Sequence, residues 1–247
     1  MAIWITKTIH VTCTMALHSD IINALFGDLQ SRNIHRIYIL KRDTNDKWIW
    51  TLNAKAWLSS NSAADIGVLI IWMVTAYVPT VVEAIKNTTE RLIELGAVNL
   101  VVPGNPPSGC FSGILALLSR GKKGELEPDT GCLKSANGLI RYHNRLLYEA
   151  VEDLRKKHPH VIRLAYANFY TPIIKFAKSP DKFGFSNETV LRACCGGGGA
   201  YNYNLQAICG LPGSSTCAKP SAAMNWDGWH GTEAMYRRIA GSWLRKL

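Results

Sequence analysis

The chain has 247 residues, of which 47% are hydrophobic and 19% are charged, with 28 Lys and Arg against 18 Asp and Glu. This composition excludes a disordered chain, and the length suits one large α/β domain or two small ones. The net charge of +10 is compatible with an anionic partner. The clearest basic cluster, residues 155–158, ends a predicted helix, where cations complement the helix dipole. We therefore expect a solvated helix end and no nucleic-acid partner.

The apolar segments predict neither a membrane span nor a signal peptide. The longest apolar run covers residues 66–78, whereas a helix needs roughly 20 apolar residues to cross a bilayer. We expect this run to be a buried core segment. No basic stretch followed by an apolar stretch stands at the beginning of the chain, so a signal peptide starting at Met1 is not predicted.

The composition changes near residues 58–65 and divides the chain into two predicted parts. Residues 1–60 consist of short apolar pieces interrupted by His, Arg and Asn, with 37–40 as the best strand candidate. Residues 61–247 then alternate between helical and strand patterns. We expect residues 1–60 to be an atypical, poorly ordered segment and residues 61–247 to form the main domain.

Helices and strands alternate regularly in the second part. The predicted elements are a helix over 79–95 that begins at Pro79, a strand over 98–102, a helix over 135–157, a strand over 161–166, a short helix or turn over 170–177, a long Gly-, Pro- and Cys-rich loop region over 180–225, and a terminal helix with Thr232 as its N-cap. This alternation predicts an α/β fold with a parallel sheet covered by helices, in which sites form at the carboxyl ends of the strands. Two clear strands are few for a sheet, so either the N-terminal part adds strands or the domain is incomplete.

The end of helix 135–157 carries several charged and imidazole side chains. Asp153 and Lys157 are spaced one helical turn apart and are expected to pair. His158 and His160 have no Cys or carboxylate partner close by in the sequence. We therefore expect a surface helix end here and no metal site.

Seven cysteines are present, and six of them follow residue 100. No Cys-x-x-Cys pair occurs, which disfavours a structural zinc site. Adjacent cysteines do not easily bond each other, but Cys194 and Cys195 could each bond a distant partner. Cys13, which stands apart from the other six, is expected to stay unpaired. Two N-glycosylation sequons begin at Asn87 and Asn187. Clustered cysteines and sequons favour an oxidising secretory compartment, which conflicts with the missing signal peptide.

The strongest local motif is an Asp-x-x-His string just before the last helix. Asp227 and His230 are three residues apart, and Gly228 between them permits a tight turn. A carboxylate so placed accepts the imidazole N–H, fixes the tautomer and raises the basicity of the other nitrogen, as in the general-base half of a hydrolytic triad. The alternative interpretation is structural: the segment is a turn in which Asp227 caps the helix region and His230 only packs.

Several longer segments stand in a characteristic order. They are 95–105 (LGAVNLVVPGN) with Gly109-Cys110, Cys132-Leu-Lys, 142–147 (YHNRLL), the cysteine-rich stretch 194–220 that begins Cys-Cys-Gly-Gly-Gly-Gly, and 226–234 (WDGWHGTEA). In content, order and spacing they resemble the plant GDSL-type esterases and lipases, a branch of the SGNH hydrolases, and within them the group of the acetylajmalan and sinapine esterases. The resemblance covers the C-terminal two thirds of the chain.

The resemblance implies a three-layer α/β/α sandwich and ester hydrolysis through a Ser-His-Asp arrangement without a cofactor. His230 would be the general base and Asp227 the acid that orients it. The substrate would be a small-molecule acyl ester, and the compartment would be extracellular or secretory. The implied disulfides are Cys110 with Cys132, and Cys194 and Cys195 with Cys209 and Cys217 in an order that stays open.

The sequence departs from the resembled family at the nucleophile. No Gly-Asp-Ser occurs, and in the nearest string, residues 26–31, Leu29 stands in the nucleophile position and Ser31 lies two residues later. No Gly-x-Asn-Asp occurs either, so Asn61 is only a weak candidate for the oxyanion hole that stabilises the tetrahedral intermediate. We therefore expect a hydrolase domain that is truncated at its N-terminal side and has negligible esterase turnover.

Residues 1–60 look foreign to that family. Residues 45–53 faintly resemble a segment near the end of plant retroelement reverse transcriptases, which favours a composite chain. Two alternatives to an active hydrolase remain. One is a catalytically inactive pseudoenzyme or gene-model fragment, and the other, with less support, is a basic nucleic-acid-binding protein.

Overall fold

The computed structural model describes residues 39–42, 48–50, 63–119 and 124–244, and the chain divides into two compact units, Met1–Ala63 and Ala64–Leu247. In the first unit, β1 (Ile39–Arg42) pairs antiparallel with β2 (Trp48–Trp50), and β1 overlaps the predicted strand 37–40. The predictions that lie outside the described residues concern the order of the N-terminal segment, Cys13, Leu29, Ser31 and Asn61.

From residue 63 onwards the described residues contain five α-helices and four strands. The helices are α1 (Ala63–Glu94), α2 (Ser112–Leu118), α3 (Lys134–Lys157), α4 (Tyr170–Lys178) and α5 (Glu233–Leu244). The strands are β3 (Asn99–Pro103), β4 (Arg163–Ala167), β5 (Cys195–Gly196) and β6 (Ser215–Thr216). Both predicted strands and the predicted helices that became α3, α4 and α5 are confirmed.

Helix α1 is longer than the sequence predicts. The expected helix start at Pro79 is wrong, because α1 continues through this proline. Proline removes one backbone hydrogen bond, but Val78 and Val82 on either side are buried in the core, and this packing holds the helix together. The apolar run 66–78 is part of this helix and is not wholly buried, since Val74 is 46% exposed. No described helix is long and apolar enough to cross a membrane.

Strands β3 and β4 form the parallel pair that the sequence predicts. Their register places Leu100 beside Leu164 and Val102 beside Tyr166. Alternate residues of a strand share a face, and Val102 and Leu164 are buried together with apolar side chains of α1 and α3. This parallel pair with helices packed on it confirms the α/β class.

A second core cluster holds the C-terminal helices. Ile173 of α4 and Met235 and Ile239 of α5 are buried in it. Helix α5 begins as predicted, because Thr232 Oγ1 accepts a hydrogen bond from Met235 N at 3.2 Å and so caps the helix. The same hydroxyl donates to Ala223 O at 2.6 Å, which fastens the beginning of α5 to the loop before it.

The end of α3 is tied to α1. Lys157 Nζ and His158 Nε2 each lie 2.7 Å from Glu90 Oε1. The expected pair of Asp153 with Lys157 is wrong, since Asp153 instead lies 3.9 Å from Lys156 Nζ. His158 also has a carboxylate partner, which its neighbours in the sequence do not supply. Packing of α1 against α3 brings Glu90 to it from a distant part of the chain.

Candidate active site

A short hairpin before α5 carries the Asp-x-x-His motif. Backbone hydrogen bonds join Thr232 N to Met224 O at 2.9 Å and Trp226 N to His230 O at 2.8 Å. Gly228 lies in the bend with φ of +99°, a conformation that residues with side chains disfavour. The tight turn that the sequence predicts around Gly228 is therefore present.

The turn brings Asp227 and His230 into direct contact. Asp227 Oδ2 lies 2.7 Å from His230 Nδ1. The other carboxylate oxygen, Oδ1, accepts hydrogen bonds from the backbone N–H groups of Trp229 at 2.9 Å and His230 at 2.8 Å. Asp227 therefore bonds the backbone of the turn and not of the helix, whose cap is Thr232, and it also holds the imidazole, as the catalytic interpretation requires.

The surroundings of Asp227 favour its ionised form. Partial burial acts to raise the pKa of Asp227, but the hydrogen bonds from the His230 ring and from two backbone N–H groups outweigh it and hold that pKa below its ordinary value. An ionised carboxylate accepts the Nδ1 proton of a neutral imidazole, so Nε2 is then the proton acceptor. The His230 side chain is 56% exposed, and within the described part of the chain no side chain is hydrogen-bonded to Nε2.

The hairpin lies against the segment that follows β3. Gly228 O accepts a hydrogen bond from Gly113 N at 2.9 Å, at the beginning of α2. The Trp229 ring covers Gly113, since a Cβ added to Gly113 would lie 3.1 Å from the ring. The indole Nε1 of Trp229 donates a hydrogen bond to Tyr203 Oη at 2.9 Å. The motif is thereby connected to the loop that leaves the carboxyl end of β3, the end at which sites of parallel sheets form.

Three disulfides cross-link the region around the hairpin. They are Cys110–Cys132, Cys194–Cys217 and Cys195–Cys209. The first has the pairing that the resemblance implies, and the structure supplies the order of the other two. The backbone N–H groups of Cys194 and Cys195 donate to Asn225 O at 3.0 Å and Trp226 O at 2.7 Å. The cross-linked segment thus holds the strand that leads into the Asp-His turn.

Two buried asparagines, one of them in the hairpin, were not singled out from the sequence. Asn144 of α3 exchanges two hydrogen bonds with the backbone of Asn105, at 2.7 and 2.8 Å. Asn225 Nδ2 donates to Cys110 O at 3.2 Å and to Val190 O at 3.1 Å. Only Asn144 could have been found from the sequence, because it is a polar residue on the predicted buried face of its helix.

The asparagines of both glycosylation sequons lie at the surface. Asn87 on α1 and Asn187 are both exposed, so their amides are accessible. Among the described residues, no group of three or more His, Cys, Asp or Glu side chains could hold a metal ion.

Comparisons with known proteins identify the family of the region 73–243. The pattern of the GDSL-like Lipase/Acylhydrolase family matches residues 73–243, which include Asp227 and His230. Two GDSL esterase/lipases of Arabidopsis thaliana are 43% and 41% identical over 66% and 68% of this chain, and 44% and 41% of their own lengths. Sinapine esterase of Brassica napus is 38% identical over 66% of this chain and 41% of its own length. The chain spans less than half the length of these relatives. Since the family pattern covers well over half of its residues, this chain belongs to the GDSL-like lipase/acylhydrolase family.

Proposed function

We propose that this chain acts in ester hydrolysis of the GDSL type, with His230 as the general base and Asp227 as the residue that orients it. The observation that carries this proposal is the 2.7 Å contact between Asp227 Oδ2 and His230 Nδ1, on a turn whose imidazole reaches solvent. Family membership supports it, since the relatives are named as esterases and lipases.

The proposed role of His230 is to move one proton. Nε2 takes the proton from a hydroxyl group, of a serine or of water, while the hydroxyl oxygen attacks the ester carbonyl carbon. It returns the proton to the leaving alkoxide when the ester C–O bond breaks. Asp227 stays ionised and stabilises the imidazolium that exists between these two transfers. The low pKa of Asp227 suits this role, because the carboxylate keeps its charge at neutral pH.

The nucleophile is not identified by a motif. The 247 residues contain neither a Gly-Asp-Ser nor a Gly-x-Asn-Asp string. Asn61 stays the candidate oxyanion donor, and it lies outside the described residues. Loss of one triad member leaves only the residual catalysis of the other groups. We therefore expect the chain by itself to hydrolyse esters at a residual rate.

We propose small acyl esters as the substrate class and a secretory or extracellular location. One relative is named sinapine esterase, which supports a small-molecule ester as substrate, and the proposed proton transfers need no cofactor. Three disulfides and two exposed sequons support an oxidising compartment.

A catalytically inactive member of the family is the second candidate, and the lack of a Gly-Asp-Ser string favours it. Nucleic-acid binding gains no support from the basic cluster 155–158. Two of its side chains are engaged within the domain, since Arg155 donates to Leu164 O and Lys157 pairs with Glu90.

Hydrolysis of p-nitrophenyl acetate and butyrate tests the proposal. We expect a weak rate that falls to the solvent rate in His230→Ala and is unchanged in His160→Ala, a matched control because His160 is another exposed imidazole. Equal rates in the wild type and His230→Ala would overturn the role of His230. High turnover that disappears only in His230→Ala would reject the inactive alternative and require a nucleophile within about 3 Å of Nε2.

A further inference from the structure

We infer that Asn225 is a positioning residue that sets where the Asp227–His230 hairpin lies on the beginning of α2. Asn225 is fully buried and stands two residues before Asp227. Its Nδ2 donates to Cys110 O at 3.2 Å and to Val190 O at 3.1 Å. The inference rests on the proposed function only in treating Asp227 and His230 as catalytic.

Two attachments join the hairpin to the segment 110–113. At the base of the hairpin, the Asn225 amide bonds Cys110 O, and at its tip, Gly228 O accepts from Gly113 N at 2.9 Å. One attachment would let the hairpin turn about that contact, whereas two attachments fix its direction as well. The side chain of Asn225 is therefore the contact that aims the imidazole.

The backbone of Asn225 cannot replace this contact. Its backbone bridges Ala193 on one side and Gly231 on the other, and Asn225 O accepts from Cys194 N. These bonds lie in the plane of the strands, whereas side chains project out of that plane. Backbone pairing thus resists sliding between strands, and the amide resists movement of the hairpin away from segment 110–113.

The amide has partners only at its donor end. Asn225 Oδ1 is buried and has no hydrogen-bond partner among the described residues. Burying an acceptor without a partner is unfavourable, so an apolar side chain of similar size would avoid that penalty. The two bonds from Nδ2 are what an asparagine supplies here and a leucine does not.

Asn137 offers a matched control. It is also fully buried, and its Oδ1 accepts from Gly109 N at 3.0 Å, so it holds the neighbouring residue of the same turn. Its Nδ2 donates to Glu127 Oε1 at 3.3 Å and to Cys110 Sγ at 3.8 Å, and none of these bonds reaches the hairpin. Asn137→Leu therefore removes a buried amide from the same turn without touching the tip or base of the hairpin.

The test is hydrogen exchange of the Gly113 amide, followed by NMR in the folded chain. Gly113 is the second residue of α2, so its N–H has no acceptor within the helix and its protection reports on the contact with Gly228 O. The ratio of the Gly113 rate to the rate of the Leu154 amide, in the core of α3, separates this local contact from global unfolding, which raises both rates. We expect Asn225→Leu to raise this ratio at least about tenfold and Asn137→Leu to change it by less than about threefold.

A second variant covers the case in which Asn225→Leu does not fold. Asn225→Ala leaves space for a water that can pair both carbonyls but is not linked to the hairpin, so the same rise is expected. An unchanged ratio in a folded Asn225 variant would overturn the inference. Failure of both Asn225 variants to fold, beside a folded Asn137→Leu, would make Asn225 a determinant of folding and would also overturn it. The readout uses no ester turnover, so it is independent of whether the proposed function fails.

Discussion

Replacement of Asp227 by asparagine separates the two tasks of this side chain. The amide oxygen of Asp227→Asn can still accept from the backbone N–H groups of Trp229 and His230, as Oδ1 does. The NH₂ group then faces His230 Nδ1, which lies 2.7 Å from Oδ2 in the wild type. Two donors cannot share that contact, so the imidazole must move its proton to Nε2 or turn away. Either outcome removes the proton acceptor, and we expect the His230-dependent ester rate to be lost.

The cost in stability follows from the contacts that are lost. A hydrogen bond to a charged group contributes about 1.5–3 kcal/mol, and because the variant keeps both backbone bonds we expect a loss of about 1.5–2 kcal/mol. In a domain of this size that loss lowers the midpoint of thermal unfolding by roughly 3–8 °C. Circular dichroism melts of the wild type and Asp227→Asn at pH 7 measure it.

The difference in stability between the wild type and Asp227→Asn should depend on pH, and the pKa shift gives its sign. Because the pKa of Asp227 is lowered in the folded state, its contribution to stability is complete above the ordinary Asp pKa and is lost as the pH falls through the lowered one. The difference in melting temperature between the two proteins should therefore shrink between pH 5 and pH 3. A difference that stays constant or grows over this range would refute the argument that the ionised carboxylate holds the turn.

Two further predictions concern packing, and denaturant unfolding measures both. Gly104→Ala places a Cβ 2.1 Å from Tyr166 Oη, so we expect a loss of about 1–3 kcal/mol that Tyr166→Phe partly relieves. The control Gly138→Ala, on α3 with its nearest atom 3.9 Å away, should stabilise by up to about 1 kcal/mol; equal effects at the two glycines would contradict this. Leu147→Ala, at a site 1% exposed, should cost about 2–5 kcal/mol, whereas Tyr148→Ala, at a site 49% exposed, should cost about 1 kcal/mol or less. A similar loss at both positions would show that exposure does not govern the cost here.

Elements with strong local patterns could be predicted from the sequence. Helix α3 has its apolar face at helical spacing and ends before Pro159, and the parallel strands on either side of it are short apolar runs between breakers. Helix α5 begins directly after Thr232, whose hydroxyl caps it. The Asp227–His230 contact could also be predicted from the sequence, because the two residues are three positions apart and Gly228 between them permits one tight turn.

Features that depend on contacts between distant segments were decided by tertiary packing. Helix α1 passes through Pro79 because its neighbours are buried against the sheet, which outweighs one lost hydrogen bond. Lys157 pairs with Glu90 and not with Asp153, because α1 lies beside the end of α3. Local spacing measures distance along the chain, and such pairings depend on distance in space.

The candidate site shows the same division. Sequence alone placed Asp227 beside His230, since that contact lies within one turn. It left open the order of the disulfides at Cys194 and Cys195, and it did not indicate that Asn225 reaches Cys110 O. A local motif determines which groups meet, but the direction in which they point is set by hydrogen bonds to segments far away in the chain, and only the folded structure brings those segments together.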